Sequence, residues 1–231
     1  GYRVDFVGTQ RDNGSVDLPD PDHEGHSGWR IDQIDEIIDS VLGSIADPDI
    51  ILLLLGTNDY GQNYDPDHAI DRLENLVARI AALRPFAKII VANLLVRGEA
   101  VDTPIQATFN PFVAGMVARQ HALGREVYFD DLRSALLLSD LPDELHPGPT
   151  GYAKMATNWL QVVRDHFTPQ GSTNAPSLAR VSAKVALTNV TVTFSKPISD
   201  ESADPRFFAL SGGVPVYGAV LDPDSLRQVT L

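Results

Sequence analysis

The chain has 231 residues, 43% of them hydrophobic and 21% charged, and a net charge of −13. That length holds one ordinary domain and part of a second, with the composition of a folded globular protein. Such acidity excludes nucleic acid and an anionic membrane surface as partners, because both need a basic face. The absence of Cys excludes disulfides, a thiolate metal site and a cysteine nucleophile.

The charge is unevenly spread: residues 1–168 hold 13 Lys+Arg against 26 Asp+Glu, and residues 169–231 hold 5 of each. No apolar run approaches the length of a membrane-spanning helix, and the start does not read as a signal peptide. Gly1 leads directly into an apparent strand and Leu231 ends another, so both ends read as cut and the chain as an internal piece of a longer one.

In chain order, residues 2–7 alternate and are rich in β-formers, which predicts a strand. Residues 10–26 form a loop in which Asp17, Asp20 and Asp22 stand close together. A calcium loop and a solvated loop both fit. The lack of an EF-hand's Gly and terminal Glu favours the second. From Trp29 to about Ala46, Ile31, Ile34, Ile37, Ile38, Val41, Leu42 and Ile45 recur at three and four, the period of an amphipathic helix that Pro48 stops.

The continuous apolar run over 49–55 predicts a strand buried on both faces. Asp65-Pro66 reads as an N-cap and first helical proline, opening a helix that Pro85 stops. Residues 88–92 read as a second buried strand, 104–123 as helix, 126–129 as a third strand and 150–167 as the closing helix. Alternating strands and helices with short links imply parallel pairing, hence an α/β fold built as a three-layer α/β/α sandwich. Its ligands belong at the carboxyl ends of the strands, where Gly56 to Asp59 lie. Residues 168–176 read as a linker, and strand-like runs over 184–195, 207–210 and 214–221 read as a partial β-sandwich module covering 177–231. The phrase Val-Thr-Val-Thr-Phe-Ser-Lys-Pro in that module resembles the start of a bacterial immunoglobulin-like domain.

Chemistry concentrates in three short segments. In Leu141-Pro-Asp-Glu-Leu-His-Pro147, Asp143 and His146 stand three apart between prolines. A turn of that size lets the carboxylate take the Nδ1 proton and frees Nε2 to draw a proton from a nucleophile. Taken alone, the spacing also suits a surface turn before a helix. The second segment is Gly56-Thr-Asn-Asp59 after the buried strand, and the third is His23-Glu-Gly-His-Ser-Gly-Trp29 at the entrance to the first helix. A side-chain amide at a strand's end and a backbone N–H at a helix start can each donate to a developing oxyanion.

Together and in this order, the segments resemble the SGNH (GDSL) hydrolases, most of all carbohydrate esterase family 3, a branch of acetyl xylan esterases. Gly56-x-Asn58-Asp59 is similar to the family's third block, Asp143-x-x-His146-Pro147 to its fifth, and Gly28 to the glycine of its second. The resemblance spans residues 1 to about 167. It implies a serine esterase domain that removes O-acetyl groups from carbohydrate, with His146 as general base and Asp143 orienting it. Gly28 (backbone N–H) and Asn58 (side chain) would be oxyanion donors, and the family needs no metal or cofactor.

The family's Gly-Asp-Ser block is not in this sequence, so the resemblance places the nucleophile outside residues 1–231. Ser27 fits poorly as a substitute, because Trp29 stands where a Gly-x-Ser-x-Gly elbow needs its second glycine. Trp29, His26 and Tyr60 are candidate substrate contacts, Trp29 fitting the core equally well. His23 and His26 lack a third ligand for a metal. His68, His121 and His166 read as solvent-facing, and Asp59 as a loop brace. The expected partner is an acetylated polysaccharide or a small ester, and the analogy implies secretion. Another lipase, thioesterase or arylesterase of the family, or an inactive carbohydrate-binding relative, are the alternatives.

Overall fold

A computed structural model describes residues 4–11, 18–166, 178–183, 189–194, 197–198, 200–210 and 215–231. The chain divides into two compact units, Gly1–Thr168 and Pro169–Leu231. The expected linker over 168–176 lies outside the described residues.

In the first unit, α1 (Ile31–Ser44) is followed by β1 (Ile50–Leu53) and the one-turn α2 (Thr57–Gly61). Then come α3 (Ala69–Leu83), β2 (Lys88–Ala92), α4 (Glu99–Thr108) and α5 (Asn110–Ala122). The unit closes with β3 (Val127–Asp130), the short α6 (Leu132–Ala135) and α7 (Pro149–His166). The strands form a parallel sheet in the order β1-β2-β3, with Ile51 beside Ile89 and Ile89 beside Val127.

Alternation along the strands sends Ile89, Val91 and Val127 to one face, where α1, α3 and α5 bring Ile34, Ile38, Leu73, Leu76, Val113 and Met116 against them. Ala92 belongs to a second cluster with Leu132, Leu136 and Leu141, covered by Met155 and Trp159 of α7. Helices therefore cover both faces, as the pattern predicts. Fully burying each such Leu, Ile or Met contributes about 1.5–3 kcal/mol.

In this unit the structure corrects four local expectations. Residues 4–7 pair with no described strand and leave Val4 and Phe6 exposed. β-Forming side chains do not make a strand without a ladder of partners. β1 is not buried on both faces: α7 packs toward β3, and Leu52, at the far edge, is 44% exposed. Asp65 does not cap α3; it takes a left-handed conformation (φ 40°), and a 3-10 turn over Pro66–His68 precedes the helix. The helix expected over 104–123 begins at Glu99 and breaks at Phe109, because Pro111 has no N–H to give the Ala107 carbonyl and its ring clashes with that carbonyl, so the chain must start a new helix.

One buried polar group stands out beside β3. Asp130 is 1% exposed, its Oδ1 accepts from Asn158 Nδ2, and its Oδ2 has no partner among the described residues. Burial, helped by neighbouring Asp131, pushes its pKa up to about 6. The folded chain thus binds this proton more tightly than the unfolded chain, whose Asp titrates near ~3.9. The stabilising contribution is full below about pH 4 and is lost as pH rises through about 6. Asp130→Asn should therefore stabilise the fold at pH 8 by roughly 1–3 kcal/mol and change little at pH 4. Thermal unfolding at the two pH values checks this, and an equal effect at both would refute it.

In the second unit, β4 (Leu178–Ala183), β5 (Val190–Phe194), β6 (Val220–Leu221) and β7 (Gln228–Thr230) form an antiparallel sheet in the order β4-β5-β7-β6. Val229, Leu221 and Ala203 make its small core, with Phe194 and Phe208 against them. The run over 207–210 is not a strand. Asp204 accepts the Arg206 N–H at 2.8 Å and Pro205 starts a 3-10 turn, so turn chemistry overrides β-propensity. Of the other expected runs, residues 184–188, 195 and 214 lie outside the described residues, and of 215–221 only Val220–Leu221 is strand.

Candidate active site

The turn after Leu141 folds around one carboxylate. Asp143 Oδ1 accepts the backbone N–H groups of Leu145 (2.9 Å) and His146 (2.6 Å), while Oδ2 lies 2.7 Å from His146 Nδ1. Those donations hold the Asp143 carboxyl well below the usual carboxylate range, the His146 backbone bond being the largest cause. An ionised Asp143 fixes the proton of His146 on Nδ1. Nε2, the second ring nitrogen, has no partner among the described residues, and the imidazole is 68% exposed. Glu144 between them adopts a left-handed φ of 60°.

A second turn leaves the carboxyl end of β1. Gly56 stands at φ 125°, where a side chain is strained, and an added Cβ would meet the Phe109 ring at 2.9 Å. The next residues wind into α2, and each of three side chains there grips the start of α1. Asn58 Nδ2 donates to the Trp29 carbonyl at 2.8 Å, which orients the amide and leaves its other N–H for a ligand. Asp59 is fully buried: Oδ2 accepts the Ile31 N–H at 3.1 Å and Oδ1 pairs with Arg72 at 2.9 Å. Burial raises its pKa against the pull of Arg72. Gln62 Nε2 donates to the Gly28 carbonyl at 2.7 Å. Asp59 therefore braces two elements and presents no free oxygen to a substrate.

Gly28 sits at φ 79°, open to solvent, and its N–H has no partner among the described residues. Upstream, a single bridge between Gln10 and His23 brings Thr9 to Glu24. Glu24 takes the Thr9 N–H at 2.8 Å and lies 2.7 Å from His26 Nε2. Its burial raises the pKa, but the bonds from His26 and Thr9 outweigh that and lower it. The His26 ring stacks on Trp29 with centroids 4.1 Å apart, and Trp29 also packs against the main core. The core reading of Trp29 thus holds for the part of it packed there.

Tyr60 has no open face for a sugar. It is 7% exposed, edge-on to Phe109, with its hydroxyl bonded to Thr108 at 2.7 Å. The helical turn of α2 points it inward, which the linear motif does not reveal. His68 pairs with Asp65, while His121 and His166 are exposed and flank the Tyr128 ring. Among the described residues no group of three or more His, Asp or Glu is arranged to hold a metal. The acidic loop over 10–26, expected to be solvated, lies partly outside them; Asp20, within them, accepts the Phe6 N–H.

Sequence reasoning missed Arg97. Its guanidinium is 7% exposed and joins the two turns, donating from Nη1 to the Leu145 carbonyl and from Nη2 to Thr57 Oγ1 at 3.2 Å. The available signal was a lone cation ending the apolar stretch that leaves β2, at a strand's carboxyl end.

Residues 9–154 match the GDSL-like Lipase/Acylhydrolase family. A family 3 carbohydrate esterase from Clostridium thermocellum is 34% identical, with a TM-score of 0.61 over 70% of this chain and 77% of that one. An acetyl esterase mutant solved with an acetate ion is 30% identical, with the same TM-score over 70% of this chain and 83% of that one. A multidomain esterase from Ruminococcus flavefaciens is 28% identical over a 193-residue match that covers 72% of this chain and only a quarter (25%) of that relative. The chain accordingly belongs to the GDSL-like lipase/acylhydrolase family of carboxylic ester hydrolases.

Proposed function

We propose that this domain removes O-acetyl groups from carbohydrate, using a serine nucleophile from a Gly-Asp-Ser block that lies outside residues 1–231. The observation that carries the reading is the 2.7 Å contact of His146 Nδ1 with a carboxylate held ionised, which leaves Nε2 open. Nε2 takes the serine proton as the serine oxygen bonds to the acetyl carbon, then returns it to the departing sugar oxygen. Water repeats the sequence in the second half and releases acetate. Negative charge on the carbonyl oxygen is met by the Gly28 N–H and the second Asn58 N–H. The names of the neighbours, a family 3 carbohydrate esterase and an acetyl esterase, support acetyl on sugar as the substrate class.

Rates on esters with acyl chains of two to twelve carbons, beside acetate release from acetylated xylan, test this in the full-length protein. Acetyl esters should be preferred and chains beyond about four carbons rejected; a maximum at long chains would assign a lipase or thioesterase instead. Binding to the polysaccharide without release of acetate would assign a carbohydrate-binding relative. Should residues 1–231 alone release acetate and His146→Ala not, the nucleophile is internal, and Ser27 is the first residue to replace.

A further inference from the structure

Arg97 takes no part in the chemistry above, yet it is the charged side chain that touches both halves of the site. One Nη bonds the Leu145 carbonyl, inside the turn between Asp143 and His146; the other bonds Thr57, between Gly56 and Asn58. Its Nε is buried without a partner, and among the described residues no carboxylate forms an ion pair with it. Burial lowers its pKa, with Asp143 and Asp102 acting against that from a distance. A buried cation left without a paired anion is a costly way to fill space, and an apolar side chain of the same length would pack there at less cost. Packing therefore does not explain the residue.

The surroundings keep this guanidinium in one place. The Arg97 backbone N–H donates to Asp102 Oδ1 at 3.1 Å, and Asp102 Oδ2 is held by Arg133 at 2.8 Å. The next residue, Gly98, lies so close to the Glu144 carboxylate that an added Cβ would collide with its Oε2. The loop after β2 and the His146 turn thus meet surface to surface, with the guanidinium reaching on to Thr57.

We propose that Arg97 is a positioning residue, whose two Nη groups hold the His146 turn and the Asn58 turn in one register and so fix the general base relative to the oxyanion donor. This rests on the esterase reading for its catalytic consequence, though not for its geometric one. Because the guanidinium is planar with two parallel donors, Lys cannot bridge both acceptors.

Two measurements test it. In residues 1–231, the proton NMR signals of the His146 ring C–H groups should be sharp in the parent, shifted or broadened in Arg97→Met, and intermediate in Arg97→Lys. In the full-length esterase, Arg97→Met should lower kcat roughly 10- to 50-fold with KM within about twofold, since a small misplacement of reacting groups acts on the transition state. Thr57→Val, which deletes one acceptor and spares the core, should show a smaller fall of the same kind, and it carries the test if Arg97→Met does not fold. An unchanged proton signal and unchanged kcat in variants that merely melt earlier would overturn the proposal. A parent without esterase activity would sink the functional reading instead, and the NMR signal in residues 1–231 would still decide the role of Arg97.

Discussion

His146→Ala should lower kcat/KM of the full-length esterase by about 10³- to 10⁴-fold, with KM and Tm nearly unchanged. In the mechanism proposed above, His146 accepts the nucleophile's proton, a step in which a positioned base contributes on the order of 10²–10⁴. Stability should hold because the imidazole is 68% exposed and its removal leaves no cavity. Asp143→Ala should be comparably damaging, since the carboxylate both orients the ring and accepts two backbone N–H groups of its own turn. Adding Asp143→Ala to His146→Ala should then cost little more, because groups acting as one unit are not additive. Kinetics of the two single variants and the double variant, beside thermal unfolding, decide the matter. Full activity in His146→Ala would remove this turn from the mechanism.

Asn58→Ala should lower kcat by about 10²- to 10³-fold, the usual loss for one oxyanion donor. Here the geometry offers a control. One Asn58 N–H is spent on the Trp29 carbonyl at 2.8 Å, so truncation also loosens the entrance to α1. Losing that single bond should cost about 0.5–1.5 kcal/mol of stability, measurable as a modest fall in Tm. A lower Tm with kcat retained would make Asn58 a loop brace alone. A large fall in kcat with KM little changed would place it at the developing oxyanion, because only interactions stronger in the transition state act on kcat that way.

The relation of sequence to structure differs from element to element. The second strand was legible at residue resolution: the apolar run Lys88-Ile-Ile-Val-Ala92 is β2 as it stands, because a parallel strand covered on both faces needs continuous apolar side chains. The Ile31, Ile34, Ile38 and Leu42 stripe specified α1 and its buried face. The Asp143–His146 pair was legible too, since a carboxylate and an imidazole three residues apart in one turn meet with little help from elsewhere.

Residues whose roles depend on distant partners were not legible. Tyr60 sits two positions after Asn58 and looked equally available, yet one turn of helix sends it into the core against Phe109. Asp65-Pro66 has the letters of a helix cap, but Asp65 bonds His68 and Arg72 instead and the chain turns left-handed there. Arg97 carried no motif at all. By itself, the sequence determined the α/β alternation, the three chemical segments and their order, all properties of local period and spacing. Tertiary structure alone decided how those segments meet: β1, β2 and β3 deliver three loops to one end of a parallel sheet, where a single guanidinium spans from Thr57 to Leu145, 88 positions apart in sequence. Contacts of that range depend on which strands lie side by side, a fact that no short window of residues contains.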